Sequence, residues 1–223
     1  THRTLIAMGI SHAMWYLHSL GIIHRDLKSM NILLSTDFLP RLCDFGIARF
    51  LSNNPEDIMT TRIGTPHWMA PEILNDQKYG FPADVYSFSM LLYEMLTNSI
   101  PWAGKDPATI LKLVCHDHSR PKFPIDDEDE EEEEKRKPKI SIKRLIQLCW
   151  AQSPEDRPTF QKIYEMFRTK QVFFDGANLK KVDELDRKLS SFMSKTKSTN
   201  SSKNQNQNQT NFDEDDSDDE KLL

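Results

Sequence analysis

The eight residues His24 to Asn31, HRDLKSMN, set a carboxylate at Asp26, an amine two positions on at Lys28 and a carboxamide three beyond that at Asn31. In an extended loop these three side chains can project into one substrate volume. Asp26 can accept a hydroxyl proton, Lys28 can neutralise a phosphate, and Asn31 offers an oxygen to a hard cation. A second oxygen donor follows at Asp44, the first residue of the triplet DFG, thirteen positions past Asn31. Between them lie the apolar run Ile32 to Leu34, the turn-prone Ser35 to Asp37 and the stretch Phe38 to Cys43. This order predicts a hairpin that carries the chain out from Asn31 and back to Asp44. Pro40 confines its second arm to an edge or irregular position.

The loop needs elements to hold it. Leu5, Ile6, Ile10, Ala13, Met14 and Leu17 recur at three- and four-residue steps, which predicts an amphipathic helix stopped by a left-handed Gly21. Residues 47–68 lack periodicity and carry Asn53, Asn54, Pro55, Gly64 and Pro66, the composition of a long functional loop. From Asp84 to Leu96 the chain is nearly all apolar, which predicts a central buried helix. Asp106 before Pro107 reads as a cap opening a short helix through Cys115. Two more helices are expected, at 140–151 and 159–169. Val182, Leu185, Leu189 and Phe192 give the spacing of a terminal helix within 176–193. The fold class expected is therefore mainly α, with one short hairpin beside the loop.

With 223 residues, 38% hydrophobic, and twelve Phe, four Trp and five Tyr, the chain can bury one sizeable core. The net charge of −5 conceals an uneven distribution, because nine acids crowd Asp126 to Glu134 and seven more lie in Asp213 to Glu220. The remainder is basic, which suits anionic ligands such as nucleotide phosphates. The acidic run and the following KRKPK make 125–139 a disordered insertion, and the Asn/Gln-rich, acidic residues 194–223 a disordered tail. Within that tail, Ser217 could accept phosphate from an acidophilic kinase, although a solubilising role is the plainer reading. No run of about eighteen apolar residues exists, so no membrane insertion is expected. Cys43, Cys115 and Cys149 are widely spaced among apolar neighbours, which suits a reducing, cytoplasmic setting better than a disulfide framework. The lysines are scattered without an aromatic platform, so no nucleic-acid partner is expected.

In order and spacing, HRDLKSMN, DFG at Asp44, APE at Ala70 to Glu72, DVYSF at Asp84 to Phe88 and CWAQSPEDRP at Cys149 to Pro158 resemble the catalytic, C-terminal large lobe of eukaryotic protein kinases. The resemblance covers roughly residues 1–170, with 1–175 expected as the lobe. It implies ATP and Mg²⁺ as cofactors and proteins as substrates. Asp26 would be the catalytic base, Lys28 the cation meeting the transferring phosphate, and Asn31 and Asp44 the metal ligands. Phe45 would anchor the metal loop in the core, and Gly46 would let it rotate. Glu72 would pair with Arg157, and Asp84 would accept hydrogen bonds from the catalytic-loop backbone. Arg25 would capture a phosphate on Thr60, Thr61 or Ser52, while His24 reads as a packed loop residue. Lys28 and Thr65, which can bridge base and lysine, resemble the serine/threonine class. WMAPE and DVYSF resemble its tyrosine-kinase-like branch, near Raf and mixed-lineage kinases, although Ser89 stands where that branch usually has Gly.

The same resemblance points to what the sequence does not contain. No GxGxxG motif occurs among the seven glycines, and the first residue is Thr. The small β-rich lobe is thus expected to be absent, and the segment alone to bind MgATP poorly, turn over slowly and expose the apolar face such a lobe would cover. The competing expectation is a non-catalytic lobe serving as decoy or docking module. Retention of Asp26, Lys28, Asn31 and Asp44 speaks against it.

Overall fold

A computed structural model describes residues 1–50, 64–123 and 140–191. The insertion 125–139, the tail 194–223, and Ser52, Thr60, Thr61 and Ser217 lie outside the described residues. The chain divides into two compact units, Thr1–Asp183 and Glu184–Leu223. Of the second, the described residues 184–191 are helical.

The first unit is built on two long helices, α1 (His2–Ser19) and α3 (Phe81–Thr97). The shorter α2 (Pro71–Leu74), α4 (Pro107–Leu111), α5 (Ile142–Cys149) and α6 (Phe160–Arg168) surround them. Packing is chiefly α1 on α6 and α3 on α5. Asp106 caps α4 as expected, accepting from the Ala108 and Thr109 amides, and Ser141 and Thr159, caps not expected from the sequence, likewise accept from the Arg144 and Lys162 amides. Helix α3 is buried without a break from Ala83 to Tyr93, and Phe88 meets Phe160 edge to face at 5.4 Å.

Helix α1 departs from the expected stripe. Leu5 and Leu17 are only half-buried, whereas Ala7 to His12 are buried in succession. The cause is cover on more than one side, by α6 and by the hairpin, whose Pro40 ring sits where a Cβ on Gly9 would be 2.6 Å away. Buried polar groups are answered locally: Ser11 donates to the Met8 carbonyl at 2.8 Å, and Thr4 accepts from the Phe174 amide at 3.1 Å.

The strands are short. β2 (Ile32–Leu34) and β3 (Pro40–Leu42) form the expected antiparallel hairpin, with Ile32 opposite Leu42 and Pro40 opposite Leu34 at its first position. A second pair was not expected. β1 (Ile22–Ile23) runs antiparallel to β4 (Arg49–Phe50), so the loop predicted from residue 47 begins with a strand. Two residues a side carry no measurable periodicity, and only the fold brings them together.

Candidate active site

The backbone of the loop at residues 24–31 is held by α3. Asp84, 1% exposed, accepts the amides of His24 and Arg25 at 2.9 Å each, and the His18 ring nitrogen lies 2.9 Å from the same carboxylate. The need for such support is local: Arg25 has φ 69°, a left-handed conformation costly for a side chain of its size. Its guanidinium donates to the Ile47 carbonyl and to the Tyr79 hydroxyl, 3.3 Å away. His24 is fully buried and packs near Phe45, as expected of a loop residue, and its ring nitrogens have no hydrogen-bond partner among the described residues.

On this support four side chains converge. Lys28 Nζ lies 2.5 Å from Asp26 Oδ2 and donates to Thr65 Oγ1 at 2.8 Å. Thr65 in turn donates to Asp26 Oδ1 at 3.1 Å. Asn31 Nδ2 donates to the Asp26 carbonyl at 2.8 Å and to Oδ2 at 3.0 Å. These two bonds fix the amide orientation and leave Asn31 Oδ1 as an acceptor. Gly64 makes the closure possible: at φ 124°, a Cβ there would lie 3.0 Å from the Arg25 carbonyl oxygen.

Asp44 follows Cys43, whose amide donates to the Asn31 carbonyl at 3.0 Å, so the backbone sets Asp44 beside Asn31 as the hairpin predicts. Its carboxylate is exposed, and its own φ of 60° falls in the left-handed region. Two hard oxygen donors, Asn31 Oδ1 and the Asp44 carboxylate, are chemically suited to Mg²⁺. Phe45 is a correction. It is 46% exposed rather than anchored in the core, because the His24 ring, 5.2 Å away, covers only one side of it.

Several contributors escape a reading of motifs. Gly64, His18, Ser29, Trp68 and Glu94 all bear on the loop. Ser29 and Trp68 lie within the HRDLKSMN and WMAPE motifs and Glu94 is a second acid, after Asp84, in a mostly apolar helix, but nothing in the sequence ties the three together. A separate cavity of about 480 Å³, lined by Glu72, Cys115, His118 and Asp156 among others, contains none of the loop residues.

Residues 2–167 match the protein kinase domain family. The chain belongs to the protein kinase family. Among its kinase relatives is a probable serine/threonine-protein kinase of Dictyostelium discoideum, 37% identical over 161 residues, covering 72% of this chain and 16% of that protein. The serine/threonine-protein kinase STY17 of Arabidopsis thaliana is 36% identical over 161 residues, covering 72% and 26%. The serine/threonine/tyrosine-protein kinase HT1 of the same plant is 35% identical over 158 residues, covering 71% and 37%. The chain thus spans well under half the length of these kinases. No helix among the described residues is long and apolar enough to cross a membrane.

Proposed function

We propose that this chain is the large lobe of a serine/threonine kinase of the tyrosine-kinase-like branch, moving the γ-phosphoryl group of MgATP onto protein hydroxyls. One observation carries the reading. A carboxylate has about four lone-pair directions. Three at Asp26 are taken, by Lys28, Asn31 and Thr65, and the remaining one, on Oδ1, is left for an acceptor hydroxyl. Asp26 would take the proton of that hydroxyl as its oxygen bonds to phosphorus and the bond to the departing ADP breaks. Lys28, with two of its three N–H groups directed at Asp26 and Thr65, would aim the third at the transferring phosphoryl. Asn31 and Asp44 would hold Mg²⁺, which when bound neutralises charge on the phosphates. Three free thiols support a cytoplasmic setting.

The hairpin leaves Leu33 58%, Leu34 48% and Phe38 43% exposed, an apolar surface suited to cover by a small lobe. We infer that the 223 residues alone turn over slowly for want of that lobe's phosphate grip. In a peptide phosphorylation assay, joining a glycine-rich, lysine-bearing lobe should raise the rate by several orders of magnitude. Asp26→Asn in the joined protein should lower it again by about 10²- to 10⁴-fold. Equal rates for the joined protein and its Asp26→Asn variant would refute the reading.

A further inference from the structure

Helix α3 carries one carboxylate in its later turns, Glu94, and both of its oxygens are engaged. Ser29 Oγ donates to Oε1 at 2.9 Å, and Trp68 Nε1 donates to Oε2 at 2.9 Å. Ser87, seven residues before Glu94 and so on the same helix face, donates to the Trp68 carbonyl at 2.8 Å. The two donors to Glu94 come from different loops, and each belongs to a single 3₁₀ turn. Ser29 opens a single 3₁₀ turn, Ser29–Asn31, capped by Lys28, and Trp68 closes another, Pro66–Trp68, capped by Thr65. Each turn is closed onto its cap, Asn31 N to the Lys28 carbonyl and Trp68 N to the Thr65 carbonyl, both at 3.0 Å. Fixing the turns therefore fixes the caps.

We propose that Glu94 is a positioning residue for phosphoryl transfer, tying the Lys28 turn to the Thr65 turn and so setting the separation at which both meet Asp26. This rests on the kinase reading above. Two neutral donors from two separate loops are a poor way to stabilise a partly buried carboxylate, for which a cation would serve better. They are an effective way to hold those loops at one distance. Burial pushes the Glu94 carboxyl above the usual glutamate range, against the opposing pull of the Trp68 and Ser29 hydrogen bonds.

The test begins with a readout that needs no turnover. The side-chain signals of Trp68 Nε1–H and Lys28 Cε are followed by NMR in the 223-residue chain as pH is varied. An Asp26→Asn, His67→Gln background is used, because the Asp26 carboxylate lies 2.5 Å from Lys28 Nζ and the His67 ring 5.7 Å from Trp68, and either ionisable group would move a reporter on its own. Both signals should move with one midpoint above the ordinary glutamate value. The midpoint should rise further in Ser29→Ala, which removes a bond favouring the charged form, and the movement should vanish in Glu94→Gln. If Trp68 responds while Lys28 does not, Glu94 is structural only and the proposal fails. In the catalytically competent protein, Glu94→Gln should lower kcat by about 100-fold with KM for MgATP unchanged. Ser29→Thr should retain activity that Ser29→Ala loses. An unchanged kcat in Glu94→Gln would also overturn the proposal. Asp26→Asn as active as the parent would instead sink the kinase reading, and the spectra would still decide on the clamp.

Discussion

Glu72–Arg157 and Asp26–Lys28 are both carboxylate–cation pairs, and their surroundings separate architecture from chemistry. Arg157 meets Glu72 through two parallel bonds of 2.7 and 2.8 Å, and its other three N–H groups go to the carbonyls of Ala151, Pro82 and Gln152. All five guanidinium donors are used. The side chains are 0% and 5% exposed, and the guanidinium lies over the Tyr86 ring at 5.2 Å. Burial there pushes the Tyr86 phenol up to about 12, so it stays neutral. Asp26–Lys28 is 10% and 16% exposed, and each partner keeps one hydrogen-bonding direction in reserve. A buried pair whose cation has every donor engaged can only hold things together. One whose cation keeps a donor in reserve, held by neighbours that are themselves fixed, can receive a substrate.

The contrast breaks most sharply at Arg157. Arg157→Met would leave the Glu72 carboxylate buried with no counter-charge, at a cost of about 3–5 kcal/mol. In a chain of this size that lowers Tm by roughly 10–15 °C. Replacing both partners with apolar residues should recover part of the loss, since the unpaired charge goes with them. Thermal unfolding followed by circular dichroism checks both. A single substitution costing less than about 1 kcal/mol would mean that water reaches the pair in solution.

Lys28→Ala should do the opposite. The pair is partly open to water, so stability should change by no more than about 1 kcal/mol. Loss of the phosphoryl-facing donor should nevertheless cut turnover by about 10²- to 10³-fold in the competent protein. Unfolding and kinetic measurements on one preparation make the comparison direct. A stability loss matching that of Arg157→Met, with kcat intact, would reverse the roles assigned to the two pairs.

Much of this division could be read from sequence, and the failures share a cause. The HRDLKSMN loop, the hairpin with Pro40 at its edge, the buried α3 and the Asp106 cap are all written in residue type and short-range spacing. Glu72–Arg157 and the support from Asp84 span 85 and about 60 positions, and they were reachable only through resemblance. The β1–β4 pairing, the burial of Thr4 and Ser11 on α1, and the Glu94 clamp are likewise long-range, but no motif announced them. The exposure of Phe45 shows the reverse error. An aromatic residue is credited with a core it reaches on one face only.

A third pair extends the comparison to the surface. Lys170 Nζ lies 2.7 and 2.8 Å from the two Asp183 oxygens, geometry as close as that of Glu72–Arg157. Yet the side chains are 35% and 49% exposed, so water competes for both charges and screening is strong. Distance alone would rank this pair beside the buried one, whereas exposure ranks it last. Lys170→Ala should therefore cost no more than about 0.5 kcal/mol at low salt. At 1 M salt, where the screening length is about 3 Å, even that difference should disappear. Denaturant unfolding at the two salt concentrations reads the effect. A salt-insensitive loss of about 2 kcal/mol or more would show that contact geometry, rather than access to water, grades the three pairs.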